Sequence, residues 1–171
     1  MSRIAGSSRD VAIWGLRRQA LPILTTLGAS LLDALPIVMT VPLVPDFAFL
    51  VLIAWRLLRP EMWLAHVALP LGLFNDLIAG HPLGQSMALW TITFLVFDVI
   101  DSRLGWRDYW TDWFFASLAI LFYTFGAWGI ARLMGNHAPF GVLLPQLVLS
   151  IFSYPVVARL VLALDRWRLG R

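Results

Sequence analysis

The sequence predicts an all-α protein built as a polytopic membrane helix bundle, and three observations predict it. Hydrophobic residues make up 60% of the 171 residues and charged residues only 13%, with a mean hydropathy of +0.78, whereas soluble domains run at about 45–50% apolar and about 25% charged. The apolar residues fall into six runs separated by charge, Pro and Gly punctuation. The thirteen basic residues are all Arg and sit between or beside those runs. That is a pattern of membrane topology and not of phosphate tracking, so the net charge of +3 implies a lipid bilayer and no nucleic acid as partner. At roughly 20 apolar residues per crossing, the chain has room for six crossings and none for a separate catalytic or ligand-binding head. With no Cys, disulfides, thiolate metal sites and Cys nucleophiles are ruled out.

Residues 1–171 read as a single integral membrane domain. Residues 1–19 form a cytoplasmic N-tail, and helices follow over 20–41, 46–58, 62–79, 85–101, 113–134 and 141–163. The first helix follows Arg3, Arg9, Arg17 and Arg18, much as a signal peptide's core would. It is too long for one, and Leu35-Pro36-Ile37 is no small-residue cleavage site, so it reads as retained. The second segment, at 1.5 Å per residue, reaches only about 20 Å against a core of about 30 Å. It is either a thin span or a re-entrant segment covered by its neighbours, which would leave five crossings. The Arg distribution favours six. If all segments cross, twelve Arg share one side and Arg132 stands alone on the other, the division that the positive-inside rule selects. Both termini are then cytoplasmic. The outer connections, 42–45, 80–84 and 135–140, are short. Trp63, Trp90, Trp106, Trp110, Trp113 and Trp167 lie near predicted helix ends and read as interfacial anchors.

Polar residues at membrane depth are the informative ones, because ionisable groups there are costly and face the bundle interior. They are Asp33, His66, the Asn75-Asp76 pair and Asp98. Asp33 stands three residues before Pro36 and reads as a buried polar group bonded to donors that a proline kink frees. Ala68, Gly72, Asp76 and Gly80 recur every four residues and so form one stripe, where small residues let another helix approach. With Gly84 they are the candidates for helix packing or a partner interface. Asp76 is placed to bond across to a neighbouring helix or to cap the turn from Gly80 to Gly84. Asp98 and Asp101, followed by Arg103 and Arg107, read as a solvated rim of ion pairs.

Catalytic arrangements are missing from the sequence. The histidines at 66, 81 and 137 lack metal spacing, no nucleophile elbow or phosphate loop occurs, and there is no Lys. Asp108 and Asp112, an i, i+4 carboxylate pair, are a weak site candidate. No enzyme and no cofactor is expected.

The stretch from Pro45 to Gly84 resembles the signature region of the MreD family of bacterial rod-shape-determining proteins. The resemblance runs through Pro45-Asp46, Ala54-Trp55, Arg59-Pro60, Gly72-Leu73-Phe74-Asn75-Asp76-Leu77 and Gly80-His81-Pro82-Leu83-Gly84. In that family a proline with Asp or Asn opens the second helix, a G-L-x-x-D run closes the third and G-x-x-L-G starts the fourth. The residue types also have physical reasons of their own. Pro45 has no N–H to leave unpaired at a helix start, Asp46 can cap the first turn, and Gly80 and Gly84 suit a tight turn. The resemblance implies a non-enzymatic scaffold or regulator of peptidoglycan synthesis in the inner membrane. Its implied partners are MreC, MreB, RodA and a class B penicillin-binding transpeptidase. It also implies a helix arrangement similar to the substrate-binding subunits of energy-coupling-factor transporters. The alternative reading is such a subunit itself, a vitamin-type small-molecule binder with an outward pocket.

Overall fold

A computed structural model describes residues 8–33, 44–63, 65–103 and 108–169. Among them are six α-helices and no strand: α1 (Ser8–Asp33), α2 (Phe47–Leu58), α3 (Ala65–Ala79), α4 (Gln85–Arg103), α5 (Tyr109–Leu133) and α6 (Leu144–Leu169). Short 3-10 turns at Pro60–Met62 and Phe140–Leu143 lead into α3 and α6.

Apolarity marks where a helix can sit in lipid and not where its backbone bonds end, so the outer helices are offset from their apolar runs. α1 begins at Ser8, inside the stretch expected as a tail. α5 begins at Tyr109, where Asp108 takes an extended N-cap conformation, and α6 continues to Leu169 through a turn rich in Arg. The end of the expected first helix, with Pro36, lies outside the described residues.

Consecutive helices run in opposite directions. The Trp55 indole of α2 donates to the Thr25 hydroxyl of α1 at 2.9 Å. Asp76 near the end of α3 accepts from Ser86 at the start of α4, and Arg59 just after α2 bonds Asp165 near the end of α6. Thus α2, α4 and α6 all start at one end of the bundle, called apical here, and finish at the other, called basal.

α2 is the centre. Nine of its twelve residues are buried, and its surroundings come from α1, α5 and α6 with Trp90 and Asp98 of α4. α5 and α6 instead bury one stripe each. On α6 it is Leu147, Ser150, Tyr154, Val157, Val161 and Asp165, a three-and-four spacing that follows one helix face. The other faces present Val148, Phe152, Val156 and Leu160 outward. α5 and the segment Phe140–Arg168 are long and apolar enough to cross a membrane, while α2 and α3 are shorter apolar helices.

Pro155 interrupts α6 and has no N–H to donate to the carbonyl four residues back, that of Ile151. The Trp113 indole of α5 donates to this same carbonyl at 3.1 Å. A proline that would leave an open acceptor inside an apolar layer thereby ties two helices together.

Candidate functional site

At the apical end, Asp46 is the N-cap of α2 and its Oδ1 accepts from the Phe49 N–H at 2.8 Å. Pro45 precedes it in the non-helical lead. Asp76, only 1% exposed, caps α4 from outside the helix. It accepts from the N–H groups of Gly84 at 2.9 Å, Ser86 at 2.8 Å and Met87 at 3.4 Å. Gly80 and Gly84 hold positive φ values of 70° and 93° in the connecting turn, a conformation that L side chains rarely adopt. Beside Asp76, the buried Asn75 amide donates to the Ser86 hydroxyl at 3.1 Å.

Gly72 explains how α3 and α4 come so close. A Cβ there would stand 2.6 Å from the Met87 backbone N and Cα, closer than any real contact. Ala68, Gly72 and Asp76 are all buried. The stripe is therefore a seam within the chain, and at these three positions no surface is left for a second protein. Leu73 and Leu83 point away from it, at 40% and 72% exposed.

The basal end carries charges whose pairing the sequence did not reveal. Arg56 lies in the last turn of α2, within the helix expected over 46–58, and is 1% exposed. It pairs with Asp98 at 2.6 Å and Asp101 at 2.8 Å, and its guanidinium lies 5.8 Å from the Phe94 ring centroid. Asp98 and Asp101, at 38% and 22% exposed, are thus interhelical partners of Arg56 as well as members of a partly solvated rim. Arg107 lies outside the described residues. A second group joins Arg59 to Asp165 at 2.7 Å, with Arg168 on the other Asp165 oxygen and Glu61 3.6 Å from Arg59. The hydrogen bond to Asp165 is the main reason the Arg59 guanidinium lies above its ordinary pKa. Arg168 also lies over Trp55, 5.6 Å from a ring centroid, and Pro60 opens the 3-10 turn beside this group.

The signal for Arg56 was present in its neighbours. It stands in an unbroken apolar run, Phe47 to Leu58, which has no polar face to offer it, and a buried Arg needs carboxylates from elsewhere. The tryptophans divide in two. Trp63 and Trp90 are core residues at 2% and 0% exposed and not interfacial anchors, because Phe94 of α4 packs against Trp63 and Phe49 of α2 stacks on Trp90. Trp110 and Trp167, both 70% exposed, remain on the outside. Trp106 lies outside the described residues. His66 is exposed, and Asp33 is the last residue of α1. Among the described residues no group of three or more His, Cys, Asp or Glu could hold a metal ion. The arrangement has the chemistry of cross-linking: carboxylates on backbone donors at one end, guanidinium groups on carboxylates at the other.

A comparison with curated proteins and one with solved structures each returned no match. The family model for rod shape-determining protein MreD matches residues 18–164. This match takes in all of α2 to α5, both capped helix starts and the Arg56 pairs with Asp98 and Asp101, and the chain therefore belongs to the MreD family, a membrane protein family of rod-shape determination.

Proposed function

We propose that the chain crosses the bacterial inner membrane six times with its basal end in the cytoplasm. It acts there as a non-enzymatic scaffold or regulator of the cell-elongation complex. In this reading it supports peptidoglycan synthesis through contacts with MreC, alongside MreB, RodA and a class B penicillin-binding transpeptidase.

The observation that carries the scaffold reading is the use made of the polar side chains at depth. Arg56, Asn75, Asp76 and Asp98 all bond to the chain's own helices, while α4, α5 and α6 present apolar faces through Leu95, Val99, Leu118, Phe122 and Leu160. A rigid bundle with apolar flanks is suited to contacts within the membrane. Because the Ala68-Gly72-Asp76 seam is closed by α4, the partner helix sits against another face. Orientation is supported by the basal gathering of Arg59, Arg103, Arg166 and Arg168 against, among the described residues, Arg132 at the apical end. α2, at about 18 Å, crosses a thinned layer and is shielded by its neighbours.

The test is purification of a tagged copy from native membranes in mild detergent, with mass spectrometry of what accompanies it. Recovery of MreC with wall-synthesis enzymes is the expected result; recovery of an ATPase module instead would make this a transporter subunit. The chain has no native thiol, so a His81→Cys variant reports orientation directly. It should react with an impermeant maleimide added to intact spheroplasts.

A further inference from the structure

We propose that the apical end of the bundle holds a binding site for one small, uncharged, hydrogen-bonding molecule about the size of a single sugar ring. A cavity of about 150 Å³ lies where the start of α2, the α3–α4 turn, α5 and the start of α6 meet. At roughly 30 Å³ per water it has room for about five.

Its walls carry more hydrogen-bonding capacity than the chain uses. Gln85, the first residue of α4, is only 7% exposed, lines the cavity, and its side-chain amide has no partner among the described residues. Gln146 on α6 lines the cavity too, again with no side-chain partner among them. Nδ1 of His81 is buried without a hydrogen bond. Buried polar groups are normally bonded, and here the buried Gln85 and Nδ1 of His81 border one cavity, with the half-buried Gln146 beside them. Part of the lining is the stacked pair Phe49 and Tyr123, with ring centroids 4.5 Å apart, an apolar surface for the face of a ring.

The charges in and beside the site are already compensated. Asp46 is the one carboxylate in the lining, and it caps the N-terminus of α2. The N-terminus of α4 next to Gln85 is capped by Asp76. A cation therefore meets a carboxylate already engaged, and an anion meets helix ends already neutralised. Primary amides both donate and accept, which matches hydroxyl or amide groups on a neutral ligand. Opening of the cavity to the outer side rests on the orientation proposed above; binding itself does not.

The test uses the full chain in lipid nanodiscs and saturation-transfer NMR. Glucose and N-methylacetamide are the neutral probes, with glucosamine and methyl phosphate as charged counter-probes. The wild type should transfer saturation to a neutral probe, and Gln85→Leu should cut that transfer by about fivefold with its circular dichroism unchanged. Gln146→Leu should show the same loss and decides the matter if Gln85→Leu does not fold. Absence of transfer to both neutral probes overturns the proposal. So does equal transfer in wild type and the folded variants, or stronger transfer to glucosamine or methyl phosphate.

Discussion

At the basal end the helices are tied by guanidinium–carboxylate pairs between side chains, whereas at the apical end carboxylates bond directly to backbone N–H groups. The difference follows from helix direction. α2, α4 and α6 all begin at the apical end, where their free N–H groups and positive dipole ends favour Asp46 and Asp76. They finish at the basal end, where Arg56, Arg103, Arg166 and Arg168 occupy the last turns. The oppositely directed α5 reverses the pattern, with Asp112 in its first turn and Arg132 in its last. Asp98 and Asp101 break the rule, since they lie near the negative end of α4. Arg56 offsets them from the neighbouring helix. Caps therefore set where individual helices start, and ion pairs set how different helices sit beside one another.

Arg56→Ala tests the basal end and should have the largest effect. Removing one partner of a buried pair leaves charge without compensation and costs about 3–5 kcal/mol. Since Asp98 is 38% exposed, the low end of that range is expected. Unfolding free energies from steric trapping in bilayer discs would measure it. Adding Asp98→Asn and Asp101→Asn should restore part of the loss, and a triple variant no more stable than Arg56→Ala would remove the ion pairs as the cause.

Gly72→Ala breaks the apical half of the comparison next. Its methyl meets backbone and not a movable side chain, so α3 and α4 must separate and weaken the Asp76 bonds, at a cost of about 1–3 kcal/mol. Faster hydrogen exchange at Gly84 and Ser86 is the specific signature. Unchanged exchange there would disconnect the close approach from the cap.

The smallest effect sharpens the distinction between cap and charge. Asp46→Ala should cost about 1 kcal/mol, while Asp46→Asn should stay within a few tenths, because Asn and Asp cap equally well. A loss in Asp46→Asn as large as in Asp46→Ala, read by the same unfolding measurement, would mean that the charge acts and not the hydrogen bond.

Much of the apical end was legible from short-range pattern. The four-residue stripe placed Ala68, Gly72 and Asp76 on one face, and Asp76 was within reach of the turn that it caps. Pro45-Asp46 marked a helix start by its local chemistry alone. The basal end was not legible, because Arg56 and Asp98 are 42 residues apart and Arg59 and Asp165 are 106 apart. Asp98 and Asp101 had a nearer Arg in sequence, Arg103, which drew attention away from Arg56, while Asp165 bonds both the nearby Arg168 and the distant Arg59. The same limit hid the core positions of Trp63 and Trp90: a ring at a helix end suits an interface equally well until a neighbouring helix covers it.

The amino-acid sequence alone determined that this protein is helical and apolar, where its turns and caps lie, and which family its motifs resemble. These depend on composition, on periods of three and four residues, and on backbone preferences of Pro, Gly and Asp, all of which act within a few residues. The tertiary structure decided which helix is central, which carboxylates Arg56 and Arg59 meet, that the small-residue stripe closes on α4, and where unbonded amides border a cavity. Those outcomes depend on how helices distant in sequence pack side by side, and a burial energy summed over several neighbours has no local signature in any one of them.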